Sequence, residues 1–421
     1  ITVSADVDTT GDYSGIGLFI ARPSANGERD TLFYSVTDST GQHFGTPEIE
    51  DDGLYPVFIS RNNNLLGIFN VVLAAGDTVT INGQLPNIRE TASIESPENE
   101  VYEKYDRLQR GFQRVVNYVT TRGMSTDTVE AEIYKWSDLF WELHQDNPNT
   151  FAGMRSAAVS ASILEGWDNE KMLARTDSLL AEYNEMPAGL RRQLTQFYAT
   201  RDSLGRSLEF LDTVEEQYAD EENQMDIKRE RIKLLYDSSR TERAGELLEE
   251  FKQTYAQNEP MMEWAERMGY DITTLAPGKR FPEFSISSRE DSTISNESLE
   301  GTPFMIEFTR LENPLYQQQY DRVVAIQQIY SNYGLEVITV PIGANDVVFN
   351  AFFEERARLW TFADPDSFYA DELIIKYNLN NYPTRFLVDA DGNIVQRLVG
   401  TEFDGVIQGL QKTLTQPQTE S

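Results

Sequence analysis

Cysteine is absent from all 421 residues. That absence excludes disulfides, thiolate nucleophiles and thiolate metal sites. Histidine is nearly absent: His43 and His144 are the two, and they fall in different expected segments. A zinc site on paired histidines and a Ser-His-Asp triad therefore lack their parts. Scattered this thinly, both histidines are expected as ordinary surface residues. No apolar run reaches bilayer-spanning length. Nucleophile-elbow, metal-binding-helix and phosphate-loop motifs are missing as well. No cofactor is expected.

What the chain has in excess is negative charge, 69 acidic against 36 basic residues for a formal net charge of −33. Such a field repels nucleic acid and anionic lipid head groups, so neither is expected as a partner. The acidic residues run along the whole length rather than forming a tail, and arginine outnumbers lysine. That surface suits a salty milieu, where screening weakens self-repulsion, and equally an ordinary acidic exported protein. The chain begins at Ile1 with no charged-then-apolar leader, which leads us to expect a processed, exported protein, or else a fragment.

Three regions follow from hydrophobic periodicity, giving a multidomain α+β chain. Residues 1–95 alternate in short stretches (Ile16–Ile20, Tyr55–Ile59, Phe69–Leu73, Val79–Ile81) between Gly, Asn and Asp turns, as in a small β-sandwich or barrel. Residues 96–274 read as α-helical. Val101, Tyr105, Leu108, Phe112, Val115 and Val119 form a stripe, and Ser125 caps a second helix carrying Trp136, Phe140 and Leu143. Further amphipathic stretches cover 168–182, 187–200, 225–237 and 241–256, the last two faintly like a tetratricopeptide hairpin. The Pro/Gly-bearing stretch Thr273–Arg280 reads as a linker.

Residues 275–416 then alternate strand and helix, and 417–421 form a flexible tail. Strands are expected at Phe304–Phe308 and Leu335–Ile342, helices at Tyr316–Tyr333, Asp346–Leu359 and Asp371–Tyr377. A hairpin, Phe386–Val388 with Ile394–Val399, turns through Asp389–Asn393, and a last helix spans 403–414. The order β-α-β-α-β-β-α describes an α/β domain with a mixed sheet.

This region resembles the TlpA/ResA branch of the thioredoxin superfamily, close to the alkyl-hydroperoxide-reductase/redoxin group. The resemblance lies in Gly278-Lys-Arg-Phe-Pro-Glu-Phe284, Leu299-Glu-Gly301 and Tyr382-Pro383-Thr384-Arg-Phe-Leu-Val-Asp389 followed by Asp391-Gly392. It implies a thioredoxin-like fold, a cis Pro383, and a groove at Tyr382, Pro383 and Thr384 beside which an extended peptide can lie. The family's redox motif is Cys-x-Pro-Cys at a helix start, where the helix N-terminus lowers the thiol pKa. Here that place reads Phe308-Thr-Arg-Leu-Glu-Asn-Pro-Leu315. Alignment on Pro314, with a one-residue deletion, makes Glu312, Asn313, Pro314 and Leu315 the degenerate redox-motif positions. Glu312 is expected to cap the helix or be solvated, since an anion stabilised at a helix N-terminus is a poor general base. The Asp389–Asn393 turn lacks EF-hand spacing and reads as hairpin chemistry.

Residues 1–95 resemble a β domain of unknown function (DUF4369-like) that precedes such thioredoxin domains in Bacteroidota envelope lipoproteins. The matching stretches are Gly53-Leu-Tyr55 and Ala75-Gly-Asp-Thr-Val-Thr-Ile-Asn-Gly83, with Ser96-Pro-Glu-Asn99 resembling the entry into a helical linker. The resemblance implies export to the periplasm or outer membrane, with peripheral attachment through an N-terminal lipid anchor not contained in this chain. Asp-Ser/Thr triplets place candidate O-glycosylation at Thr9, Thr31, Thr78, Thr128, Thr213 and Ser292, though turn and cap chemistry explains several of them equally. The expected function is a redox-inactive accessory or binding subunit of an envelope assembly with protein partners, contacting them through Arg310–Tyr316 and Tyr382–Thr384. The alternatives are a thiol-independent chaperone or holdase, and an enzyme of unrelated chemistry in the β or helical region.

Overall fold

A computed structural model of the chain describes residues 2–5, 14–23, 29–49, 52–62, 64–85, 87–183, 186–217, 221–290, 292–354 and 356–414. The chain divides into two units, residues 1–227 and 228–421.

The first unit opens with strands β1 (Thr2–Ala5), β2 (Ile16–Pro23), β3 (Arg29–Val36), β4 (Gly53–Arg61), β5 (Asn64–Leu73) and β6 (Thr80–Leu85), short helix α1 (Ile88–Thr91) and strand β7 (Ser93–Glu95). A four-stranded antiparallel sheet has the order β3-β2-β4-β5, and a second sheet has the order β1-β6-β7. Alternation puts Ile16, Leu18, Ile20, Val57 and Ile59 on one face of the larger sheet, where Ile81 and Ile88 join them in a single core. The strand Arg29–Val36 carries no clear alternation, because its Tyr34 and Val36 stay exposed, which is why the sequence does not announce it.

Helices α2 (Pro97–Arg122), α3 (Thr126–Asp146), α4 (Phe151–Ser162), α5 (Asn169–Glu182), α6 (Ala188–Arg201) and α7 (Leu204–Gln217) follow. Ser96 and Ser125 cap α2 and α3 through their side chains. One turn into α2, buried Asn99 satisfies the edge of β5 by accepting from Val72 N (2.9 Å) and donating to Val72 O (2.8 Å). Helix α4 escapes sequence reading because small residues bury it on nearly all sides, Gly153, Ala157, Ser160 and Ala161 among them, so no stripe marks it.

The histidines correct the expectation of surface placement. His43 and His144 are 1% and 4% exposed. His144 packs against the Trp141 ring, with Nε2 3.3 Å from a Glu182 oxygen and Nδ1 3.4 Å from the Tyr183 hydroxyl. Burial holds both imidazoles below the ordinary histidine range, and pushes the Tyr183 phenol up to about 12.

Helix α8 (Glu221–Asp237) crosses the division between the units. Within the second unit, α9 (Thr241–Thr254) and α10 (Glu259–Tyr270) precede a π-helical turn at Asp271–Leu275. The stretch expected as a linker is anchored instead: Leu275 and Ala276 are fully buried. Asp271 pairs with Arg397 at 2.7 Å, and Asn378 donates to Asp271 (2.9 Å) and to Arg267 O (3.3 Å). The contact division at residue 227 thus falls inside the region expected as helical over 96–274, and the turn that ends that region is tied to Arg397 of the last strand and to Asn378.

Strands β8 (Ser285–Ser287) and β9 (Thr293–Ser295) form a small hairpin. Then come β10 (Phe304–Thr309), α11 (Pro314–Tyr330), β11 (Glu336–Pro341), α12 (Asp346–Phe353), β12 (Thr361–Phe362), α13 (Ala370–Lys376), β13 (Thr384–Val388), β14 (Ile394–Val399) and α14 (Asp404–Leu414). The main sheet has the order β12-β11-β10-β13-β14, parallel on the β12 side of β10 and antiparallel on the other. Phe304, Ile306 and Phe308 of β10 enter one core and Met305 the other, so both faces are covered. The helix expected over 346–359 ends at Phe353, and the chain returns to add β12 to β11. The tail lies outside the described residues.

One residue of β10 breaks the apolar run. Glu307, fully buried, stands directly opposite Arg385 of β13, which is 1% exposed, and the two pair at 3.0 Å. The other Glu307 oxygen accepts from the Tyr316 hydroxyl (3.1 Å) and from Thr339 (2.6 Å), whose oxygen accepts from Trp360 Nε1 (2.8 Å). The Arg385 guanidinium lies 4.7 Å over the Phe403 ring. Removing one partner leaves a charge in a dry interior, so Arg385→Leu should destabilise the second unit by about 3–5 kcal/mol in urea unfolding. Glu307→Gln combined with Arg385→Leu, neutral at both places and retaining acceptors for Tyr316 and Thr339, should recover most of that loss.

The buried histidines generate a pH prediction. Their folded pKa values lie below the unfolded value of about 6.5, so the unfolded chain takes up protons first as pH falls. Stability should drop between about pH 7.5 and pH 5.5. The drop should shrink in the double variant His43→Gln, His144→Gln, read from unfolding midpoints at the two pH values.

Candidate functional site

The corner between β10 and α11 faces the turn that enters β13. The Tyr382–Pro383 peptide is cis. Asn313, rather than Glu312, is the N-cap of α11: its Oδ1 accepts from Leu315 N (2.9 Å) and Tyr316 N (3.1 Å). Its Nδ2 donates to Tyr382 O at 3.3 Å. One side chain thus satisfies two orphan amides of the helix and a backbone carbonyl of the cis-proline turn. Pro314 takes the first helical position, where its missing N–H costs nothing. Glu312 is exposed and Leu315 half-buried.

Arg310 is exposed, with its guanidinium 5.2 Å over the Tyr382 ring. Part of the expected contact surface is interior. Leu311, Tyr316, Pro383 and Thr384 are buried, and the Thr384 hydroxyl donates to Asn381 O at 2.7 Å. Burial and the neighbouring Glu307 carboxylate push the Tyr316 phenol well above its ordinary value. The surface left at this corner consists of Arg310, Glu312, Asn313, Pro314, Leu315 and Tyr382. It offers a cation on an aromatic ring, a carboxylate and amide dipoles, and no thiol, so it cannot exchange disulfides.

The Asp389 turn is a side-chain-stabilised hairpin. Asp389 Oδ1 accepts from Asp391 N (3.0 Å) and Asn393 N (2.8 Å), and Gly392 takes the left-handed backbone at φ 81°. Among the candidate glycosylation residues, Thr31, Thr78, Thr128, Thr213 and Ser292 are exposed; Thr9 lies outside the described residues. The hydroxyls of Thr128, Thr213 and Ser292 already bond to Ser125 (2.8 Å), Glu209 O (2.9 Å) and Ser288 (2.7 Å). Among the described residues no cluster of three or more His, Asp or Glu is placed to hold a metal, and no helix is long and apolar enough to cross a membrane.

Sequence reasoning passed over Glu307, Arg385, Asp271 and Arg397. The signal for the first was present, an acidic residue inside the otherwise apolar run Phe304–Phe308. The other three sit in unremarkable local contexts.

No protein-family model matches the chain. Over 145 residues, 34% of this chain and 82% of the relative, it is 22% identical to the thiol-disulfide oxidoreductase ResA of Bacillus thuringiensis (strain Al Hakam), and equally to that of Bacillus anthracis. Among solved structures, the thioredoxin domain of a thiol-disulfide oxidoreductase from Bacteroides vulgatus is 17% identical with a TM-score of 0.30, covering 34% of this chain and 100% of that one. A thiol:disulfide interchange protein of the thioredoxin family from Chlorobium tepidum TLS is 18% identical with a TM-score of 0.28, covering 33% and 97%. The ResA similarity, the order of strands and helices and the cis-proline turn together give the C-terminal third a thioredoxin-like fold of the ResA/TlpA type, in a chain without cysteine.

Proposed function

We propose that this protein is a redox-inactive, thioredoxin-like accessory or binding subunit of a cell-envelope assembly, with protein partners, exported and held at the membrane periphery. One observation carries the reading: the corner that holds thiols in the oxidoreductases it resembles is closed here by Asn313, which fastens the α11 terminus to the Tyr382 carbonyl. A helix N-terminus that activates a thiolate is instead used up by an amide. What survives is shape, an exposed Arg310 on Tyr382 beside the cis-proline turn. Those two residues are the proposed partner contact; the turn's buried Pro383 and Thr384 support it from beneath.

Three measurements bear on this. Insulin reduction by the full chain should stay at the uncatalysed rate, and measurable turnover would overturn the proposal. Gently extracted from native membranes, the chain should migrate in a larger assembly, which Arg310→Ala disrupts without moving the unfolding midpoint; a solitary native chain counts against it. We also propose O-glycosylation of at least one exposed Asp-Ser/Thr triplet. Peptide mapping of the native protein should then show a glycan mass on a peptide that contains Thr31, Thr78, Thr128, Thr213 or Ser292, and unmodified masses for all of those peptides end that idea.

A further inference from the structure

The second unit holds a cleft of about 420 Å³ away from the degenerate corner, walled by α8, α10, the Asn380–Asn381 segment and β14. Its size falls in the ~300–1,000 Å³ range of small-ligand pockets. On α10, Trp264 and Met268 lie four residues apart and so share one helix face, giving an apolar floor. The indole is held in place by Phe251, edge-on at 5.1 Å, and by the Arg229 guanidinium at 5.0 Å. Across from this floor stand Asn380 and Asn381, both exposed; Asn380 Nδ2 donates one hydrogen to Asn378 Oδ1 at 3.0 Å and keeps its second hydrogen and its carbonyl acceptor, and Asn381 carries amide donors and a carbonyl acceptor.

The charges in the wall decide what kind of ligand fits. Lys233 pairs with Asp237 at 2.5 Å, Arg397 with Asp271 at 2.7 Å, and a Glu402 oxygen accepts from Val399 N at 2.8 Å. An anion meets no unpaired cation here and also meets the field of a chain with net charge −33, while a cation meets Glu402, whose carboxylate has no ion pair among the described residues and is held by Val399 N. A neutral ligand with closely spaced hydroxyls needs no ion pair to break. Its hydroxyls donate to the Asp237 and Glu402 carboxylates and accept from Lys233 and the two amides, while one C–H face lies on Trp264 and Met268. An apolar floor with a few convergent polar groups is the usual composition of a small-molecule site. We propose that this cleft binds a neutral saccharide. Binding there is independent of the accessory role at the Arg310–Tyr382 corner.

The test uses the full chain and calorimetric titration with maltotriose, xylotriose and chitotriose as neutral probes, trigalacturonate as an anionic one and tetraglycine as a peptide. A neutral trisaccharide should saturate the protein at millimolar concentration or below. Asn380→Ala with Asn381→Ala should weaken that binding by at least about tenfold, or 1.4 kcal/mol, with an unchanged unfolding midpoint. Trp264→Phe should weaken it less than Trp264→Ala. The proposal is overturned if none of the three neutral probes saturates, if trigalacturonate or tetraglycine binds more tightly, or if the double Asn variant binds as well as the native chain.

Discussion

A carboxylate enclosed at the centre of a sheet must find partners for both oxygens, and the second unit is organised around that demand. Glu307 is met by Arg385 from the neighbouring strand and by Tyr316 and Thr339 from the helix and strand packed beside it. Trp360 and Phe403 enclose the far ends of the network. Every element that builds the redox corner of a thioredoxin-like domain, β10, α11 and β13, is therefore tied to one buried charge. An apolar residue at 307 would leave these elements packed but would not fix their register with the same specificity, because a hydrogen-bonded ion pair tolerates little displacement.

That rigidity explains how the corner persists without its chemistry. Cysteines at such a place serve reactivity, and this chain has none. In this chain the terminus is closed conservatively, with an asparagine that caps α11 and reaches the carbonyl before Pro383. The turn is held in shape by contacts that do not involve sulfur at all. Recognition needs only placed groups, whereas disulfide exchange needs a thiolate.

The tie between α10 and the strands shows a second use of buried charge. Arg397 satisfies Asp271 on the turn that ends the helices and also donates to Asn378 O at 2.8 Å. Asn378, 107 residues beyond Asp271, completes the link from its side-chain amide. This contact replaces the free linker that Pro277 and Gly278 suggest. It also shapes one side of the cleft, so fold stability and ligand geometry there share the same residues.

The sequence by itself determined what depends on residue type and short spacing. No thiol means no thiol chemistry, alternating apolar residues mark strands such as Ile16–Ile20, and Tyr382-Pro383-Thr384 marks the turn. Most elements of the second unit were legible for that reason, as were the helix carrying the stripe Val101–Val119 and the one capped by Ser125. Tertiary structure alone decided the rest: that Asn313 and not Glu312 caps α11, that both histidines are buried, that α4 is enclosed on nearly all sides, and that Asp271 anchors the stretch expected as a linker. Burial and anchoring turn on residues distant in the chain, and Asn313 adds to its local cap a contact of that kind with Tyr382 O. Local propensity and periodicity carry a signal over a turn or two of chain, whereas the pairing of a buried charge is settled by whichever residues folding brings within about 3 Å.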